Sequence, residues 1–170
     1  MNKPLHQFFT KDHHRIDTLL NKAISPQGEI NPEHYHLFRA GLLRHIKMEE
    51  KIFFPAAKKA NPSVMQKLIP RYRLEHGALT ALMVPPPILP LIKVIRYVLE
   101  KHDMAEEEPG GLYDVCEALT KGQTQEILMQ LAGTEEVPVH PPNAAPIALA
   151  SARRALERAG YDFDEIAGAG

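Results

Sequence analysis

His45-Ile46-Lys47-Met48-Glu49 and His102-Asp103-Met104-Ala105-Glu106 are two copies of one pattern, a histidine followed four residues later by a glutamate. On an α-helix an offset of four turns the chain by about 400°. The two side chains then project from one face, about 6 Å apart along the axis. Each pair continues an apolar stripe. The first follows Phe38 and Leu42 and leads to Ile52; the second follows Leu91, Ile95 and Val98. Groups that water should claim are thus placed where a helix buries its face. Two further histidines repeat the arrangement. His13 lies in the stripe Leu5, Phe9, Ile16, Leu20, Ala23, and His76 in the stripe Met65, Ile69, Tyr72, Leu79, Met83.

Working outward, breakers separate these stripes into four long helices. Ser25-Pro26-Gln27-Gly28 ends the first. Asn31-Pro32 and Asn61-Pro62 each read as a helix N-cap followed by proline at the first helical position. Pro55 is expected to kink or end the second helix, Pro85-Pro86-Pro87 stops the third, and Pro109-Gly110-Gly111 ends the fourth. A further helix is expected over about 112–131 with stripe Leu112, Val115, Leu119, Ile127 and Leu131, weakened by Gly122. A Pro-rich strap follows, and a last helix over about 146–159 stops at Gly160. No alternating strand pattern stands out. The expected fold is all-α, an antiparallel up-down four-helix bundle with additional C-terminal short helices. Residues 1–133 would form the bundle, and 134–170 a strap and helix packed on it or extending from it.

The chain has 170 residues, with 44% hydrophobic and 24% charged residues, enough for one domain with a real core. A formal net charge of -1 gives no general attraction to nucleic acid or anionic lipid, so neither is an expected partner. No signal-peptide pattern and no run of roughly 18 apolar residues is found, so a cytoplasmic location is expected. Cys116 is the single cysteine and reads as a buried thiol. Nine histidines are the compositional oddity.

Burying four histidines and two glutamates without partners would cost a few kcal/mol each, against a typical net stability of about 5–15 kcal/mol. Two divalent cations resolve this, with two carboxylates and a bridging oxo or hydroxo group offsetting most of their charge. Should both glutamates bridge, one position on each metal stays open for a small molecule. Imidazole and carboxylate suit iron, and also zinc and manganese. The candidate ligands are His13, His45, Glu49, His76, His102 and Glu106. Glu50 and Glu107 are the alternatives at an offset of five. His14 points about 100° from His13, toward solvent. His6, His34, His36 and His140 have no partner pattern and read as surface groups.

At Asp12-His13-His14-Arg15-Ile16-Asp17, His45 to Glu50 with Phe53-Phe54-Pro55, Glu75-His76-Gly77-Ala78-Leu79 and His102 to Glu107, the sequence resembles the hemerythrin family, including the bacterial HHE cation-binding domains. The likeness covers roughly residues 4–130. It implies a hemerythrin-like bundle around two iron ions, a non-haem di-iron centre with a bridging oxo or hydroxo group, held by the six residues above. Family members bind dioxygen, sense oxygen or redox state, handle nitric oxide or peroxide, or respond to iron. The oxygen carriers have one more histidine a turn before the third-helix ligand; here that position is Tyr72, read either as a core aromatic or as a cofactor-binding phenol at the metal, a ligand or a donor just outside the ligands. The expected function is small-molecule binding or sensing, with dioxygen or nitric oxide as the ligand. The alternatives are a di-iron enzyme acting on peroxide or nitric oxide, an iron-handling protein, or a purely structural bundle with zinc or nothing in the site. A homodimer is a possible assembly. Catalysis is the less favoured role, because no general acid or base is evident outside the cluster.

Overall fold

A computed structural model describes residues 2–170, and they are helical almost throughout. The four stripes become α1 (Pro4–Lys22), α2 (Pro32–Met48), α4 (Pro62–Leu82) and α5 (Leu89–Glu107); the short α3 (Phe54–Ala60) follows α2. Both asparagine caps form as expected. Asn31 accepts a hydrogen bond from the His34 amide at 2.9 Å, and Asn61 from the Val64 amide at 3.2 Å, each satisfying a free donor of the first turn.

Pro55 does not end the second helix. Between α2 and α3 the chain makes one wide turn, Glu49–Phe53, of π-helical form, in which the Phe54 amide reaches back to the carbonyl of Glu49. Pro55 has no amide to satisfy, so it sits in the first turn of α3 without loss. The extra residue shifts the buried face: Ile52 is only half-buried, while Phe53 and Phe54 are both fully buried.

The helix expected over 112–131 is divided into α6 (Leu112–Leu119) and α7 (Thr124–Ala132) by a 3-10 turn at Lys121–Gln123. The buried side of α6 also differs from the expected stripe. It is Leu112, Tyr113 and Cys116, with Val115 and Leu119 only partly covered. Cys116 is a buried free thiol.

The apolar core falls into two clusters with the polar residues between them. One contains Ile16, Leu42, Ala78, Leu79 and Leu99; the other contains Phe9, Met48, Tyr72, Ala105 and Tyr113. Along α1 the chain passes from the Phe9 cluster through His13 to the Ile16 cluster. α2 passes the opposite way through His45, α4 the first way through His76, and α5 the opposite way through His102. Each fully buried Leu or Phe in these clusters contributes roughly 1.5–3 kcal/mol.

After α7 the strap is held by side chains of α2. Arg44 donates to the Thr134 carbonyl at 2.9 Å and Arg39 to the His140 carbonyl at 2.8 Å. α8 (Pro146–Arg158) and α9 (Phe163–Gly168) follow. They add Ala152, Leu156, Phe163 and Ile166 to the Ile16 cluster. No helix among the described residues is long and apolar enough to cross a membrane.

Candidate metal centre

The six residues singled out by pattern meet in one place. His13, His45, Glu49 and Glu106 form one group of ligand atoms; Glu49, His76, His102 and Glu106 form another. All six are buried, Glu49 and Glu106 at 0% exposure. The two glutamates belong to both groups, each with one oxygen toward each pair of histidines. Glu49 Oε1 lies 3.5 Å from His45 Nε2, and Glu49 Oε2 lies 3.0 Å from His76 Nε2. Glu106 Oε2 lies 3.4 Å from His13 Nε2, and Glu106 Oε1 lies 3.3 Å from His102 Nε2.

Each histidine is held by a carboxylate on its other ring nitrogen. Asp12 meets His45 Nδ1 at 2.9 Å and Glu50 meets His76 Nδ1 at 2.9 Å; Glu75 meets His102 Nδ1 at 2.7 Å and Glu107 meets His13 Nδ1 at 2.6 Å. These contacts form a closed circuit. α1 orients the histidine of α2, the wide turn after α2 orients that of α4, α4 that of α5, and α5 that of α1. A carboxylate accepting from Nδ1–H fixes the tautomer and leaves the Nε2 lone pair facing inward, the usual surroundings of a metal-ligating imidazole. Three of the four carboxylates are themselves anchored: Asp12 by Arg15 at 2.8 Å, Glu50 by Arg73 at 2.8 Å, and Glu75 by the Tyr161 hydroxyl at 3.0 Å.

The centre therefore has more acceptors than donors. His76 Nε2 and His102 Nε2 face each other at 3.2 Å. Glu49 Oε2 and Glu106 Oε1 are fully buried with no hydrogen-bond donor. Burial opposes charge on His76, but Glu49 and Glu50 outweigh it and raise its pKa to about 10. On His13 burial is likewise outweighed, by Glu106 and Glu107, and its pKa lies well above the ordinary value. Glu49 is held well below the carboxylate range, burial being overcome by His45 and His76. Without a cation, protons must fill these gaps. Orphaned carboxylate oxygens facing imidazole lone pairs are what a bound metal ion satisfies, so the residues fit one.

Tyr72 and Tyr113 take different places. The Tyr72 hydroxyl donates to the Ala105 carbonyl at 3.1 Å, with its ring edge-on to His102. Tyr113, absent from the sequence reading, lies inside the centre. Its hydroxyl oxygen is 2.6 Å from Glu49 Oε1, 2.8 Å from Glu106 Oε2, 3.0 Å from His13 Nε2 and 3.3 Å from His45 Nε2. Burial, then Glu106 and Glu49, keep this phenol protonated far above its ordinary range. Glu50 and Glu107, the alternatives at an offset of five, orient histidines from outside the centre. His14 is exposed, as are His36 and His140. His6 is not a free surface group: its Nδ1 meets Asp114 at 2.8 Å and its ring stands edge-on to Tyr113.

A cleft of about 470 Å³ between α1 and α5 touches the centre at His13. Its lining includes His13, Asp103 and Glu107. Asp103 Oδ1 lies 3.5 Å from His13 Nε2. Burial, with Glu106 nearby, raises the Asp103 pKa to about 6 against the pull of His13.

Comparison with known protein families, with curated proteins and with solved structures finds no match.

Proposed function

We propose that this chain is a hemerythrin-like, non-haem di-iron protein, an antiparallel four-helix bundle that binds or senses a small molecule such as dioxygen or nitric oxide, or redox state. The observation that carries the reading is the sharing of Glu49 and Glu106 by two four-donor groups. One buried carboxylate pair common to two histidine pairs is the arrangement two adjacent cations need. The alternating direction in which α1, α2, α4 and α5 pass between the two core clusters supports the bundle.

Two irons held there would supply a redox-active centre with a coordination position open to a small ligand. The chain's own residues do the rest. Asp12, Glu50, Glu75 and Glu107 fix the imidazoles. Phe54 stacks on His76 with ring centres 6.0 Å apart, and the surrounding apolar cluster excludes bulk water. The α1–α5 cleft meets the centre at His13. Zinc and manganese fit the same donors, so the deciding experiment is elemental analysis of protein produced with all three metals available, with absorption spectra in air and after reduction. Two irons per chain and an oxygen-dependent near-ultraviolet spectrum are expected; zinc alone with a silent spectrum would reject the proposal. A second reading, a di-iron enzyme acting on peroxide or nitric oxide, is favoured by one observation, the buried phenol of Tyr113 at the centre. Steady turnover of either substrate by the iron-loaded protein would establish it.

A further inference from the structure

We infer that Tyr113 is a protein ligand to one of the two ions and not the other, so that the centre has five protein donors on the His13–His45 side and four on the His76–His102 side. This rests on the metal-binding reading above and adds a residue that none of the helix patterns contains.

The argument is geometric. First-row divalent ions hold nitrogen and oxygen donors at about 2.0–2.2 Å. Neighbouring donors around one ion are then about 3.0 Å apart at right angles and about 3.4 Å apart at tetrahedral angles. On the His13–His45 side, His13 to Glu106 is 3.4 Å and His45 to Glu49 is 3.5 Å, both of this size. The Tyr113 oxygen lies 2.6–3.3 Å from all four of these donor atoms. It occupies a vertex of the same polyhedron. On the other side the edges are 3.0, 3.2 and 3.3 Å, and the nearest phenol, Tyr72, is committed to a backbone carbonyl.

One hydroxyl hydrogen cannot serve two carboxylate oxygens and two imidazole lone pairs at once. A cation with the phenolate can. The ring has no room to withdraw. It is fully buried, stacks on Phe9 with centres 5.2 Å apart, and lies 6.1 Å from Phe53. The turn that delivers it is equally constrained. Gly110 has φ +79°, and a Cβ on Gly111 would meet the carbonyl oxygens of Ala105, Glu108 and Glu106 at 2.7–2.9 Å. Ligation releases the phenol proton to solvent, one per chain, and leaves the phenolate oxygen on the metal. With a bridging solvent the His13–His45 ion reaches six donors, whereas the His76–His102 ion reaches five. The open position is therefore on the His76–His102 side, away from His13, where the α1–α5 cleft meets the centre.

The test is titration of metal-free protein with zinc, followed by ultraviolet difference absorption for ionised tyrosine. Resonance Raman spectra of ferric protein complement it. One tyrosinate per chain is expected at saturation, with tyrosine ring modes enhanced in a visible charge-transfer band of the ferric form. Tyr113→Phe should abolish both signals, and Tyr72→Phe should leave both intact. Should Tyr113→Phe fail to fold, the wild-type tyrosinate must still survive in Tyr72→Phe and in Tyr161→Phe. Two metals per chain with no tyrosinate, or a tyrosinate lost with Tyr72, would overturn the inference and leave the metal centre standing. Failure to bind either zinc or iron would overturn both.

Discussion

His13 and His45 face each other across the Tyr113 hydroxyl; His76 and His102 face each other with nothing between. Otherwise the two halves match. Each has two imidazoles, each imidazole has a carboxylate at Nδ1, and each half takes one oxygen from Glu49 and one from Glu106. The matching parts come from the repeated helix pattern, and the odd one comes from α6, outside the repeat. A quasi-symmetric scaffold thus becomes an asymmetric centre through a single residue, and two ions bound there would differ in their freedom to take a further ligand.

Removing what the halves share should have the largest effect. Glu49→Ala takes a donor from both groups, so metal content is expected to fall from two per chain to below one. The metal-linked rise in Tm should disappear with it. A ligand at a thousandfold excess over its Kd contributes about 4 kcal/mol to stability, so the loss is readable by thermal melts with and without metal. Retention of both ions would refute the bridging role. Next come the single histidines. His102→Ala leaves three protein donors on its side, whereas His45→Ala leaves four because Tyr113 remains. Both variants should lose metal, and His102→Ala the more, by competition with a chelator; equal losses would erase the distinction between the halves. Asp12→Asn and Glu75→Gln leave every donor in place but loosen one imidazole in each half. A drop in metal affinity of about 10–100-fold is expected for each.

Acidity should separate the loaded and metal-free forms. Burial disfavours the Asp12 carboxylate, but His45 and Arg15 lower its pKa from 3.8 to about 2. The stability it contributes is present above 3.8 and is lost as pH falls toward 2. His76 is raised from 6.5 to about 10. Its contribution to the metal-free protein is present below 6.5 and is lost as pH rises toward 10. Metal binding runs the opposite way, since protons compete with the ion for the same nitrogens. The Tm difference between loaded and metal-free protein is therefore expected to widen from pH 5 to pH 9, and a constant difference would contradict this account. The smallest effect belongs to His14→Ala. The side chain is exposed beside His13, and the change should stay within about 0.5 kcal/mol in stability with metal content unaltered.

Much of this was legible in the sequence because the long helices impose their own period. Every member of the α1, α4 and α5 stripes is buried. Among the four long helices the register breaks only at the wide turn after Met48, where nothing in the local pattern announces an inserted residue; the two consecutive phenylalanines before Pro55 are the available hint. The orienting carboxylates left a signal in sequence. Asp12, Glu50, Glu75 and Glu107 each stand next to a residue of the centre, and one step of about 100° around the helix aims them at the neighbouring histidine. Tyr113 left none. α6 is too short for its stripe to decide which side faces inward, and the Gly110–Gly111 turn sets that by docking onto the end of α5.

Tyr113 and His13, in contact at the centre, are 100 residues apart in the chain. A protein with one cysteine has no covalent tie across such a distance, yet an ion gripped by both would act as one. Closing a loop of that length removes on the order of 5 kcal/mol of chain entropy from the unfolded ensemble in the polymer description used for disulfides. Loading would thus work as a removable cross-link, joining the first helix to the sixth. A chelator would cut that link without cleaving the chain, leaving the two helices joined by their packing and by the contacts of His6 with Asp114 and Glu117, and more open to proteases.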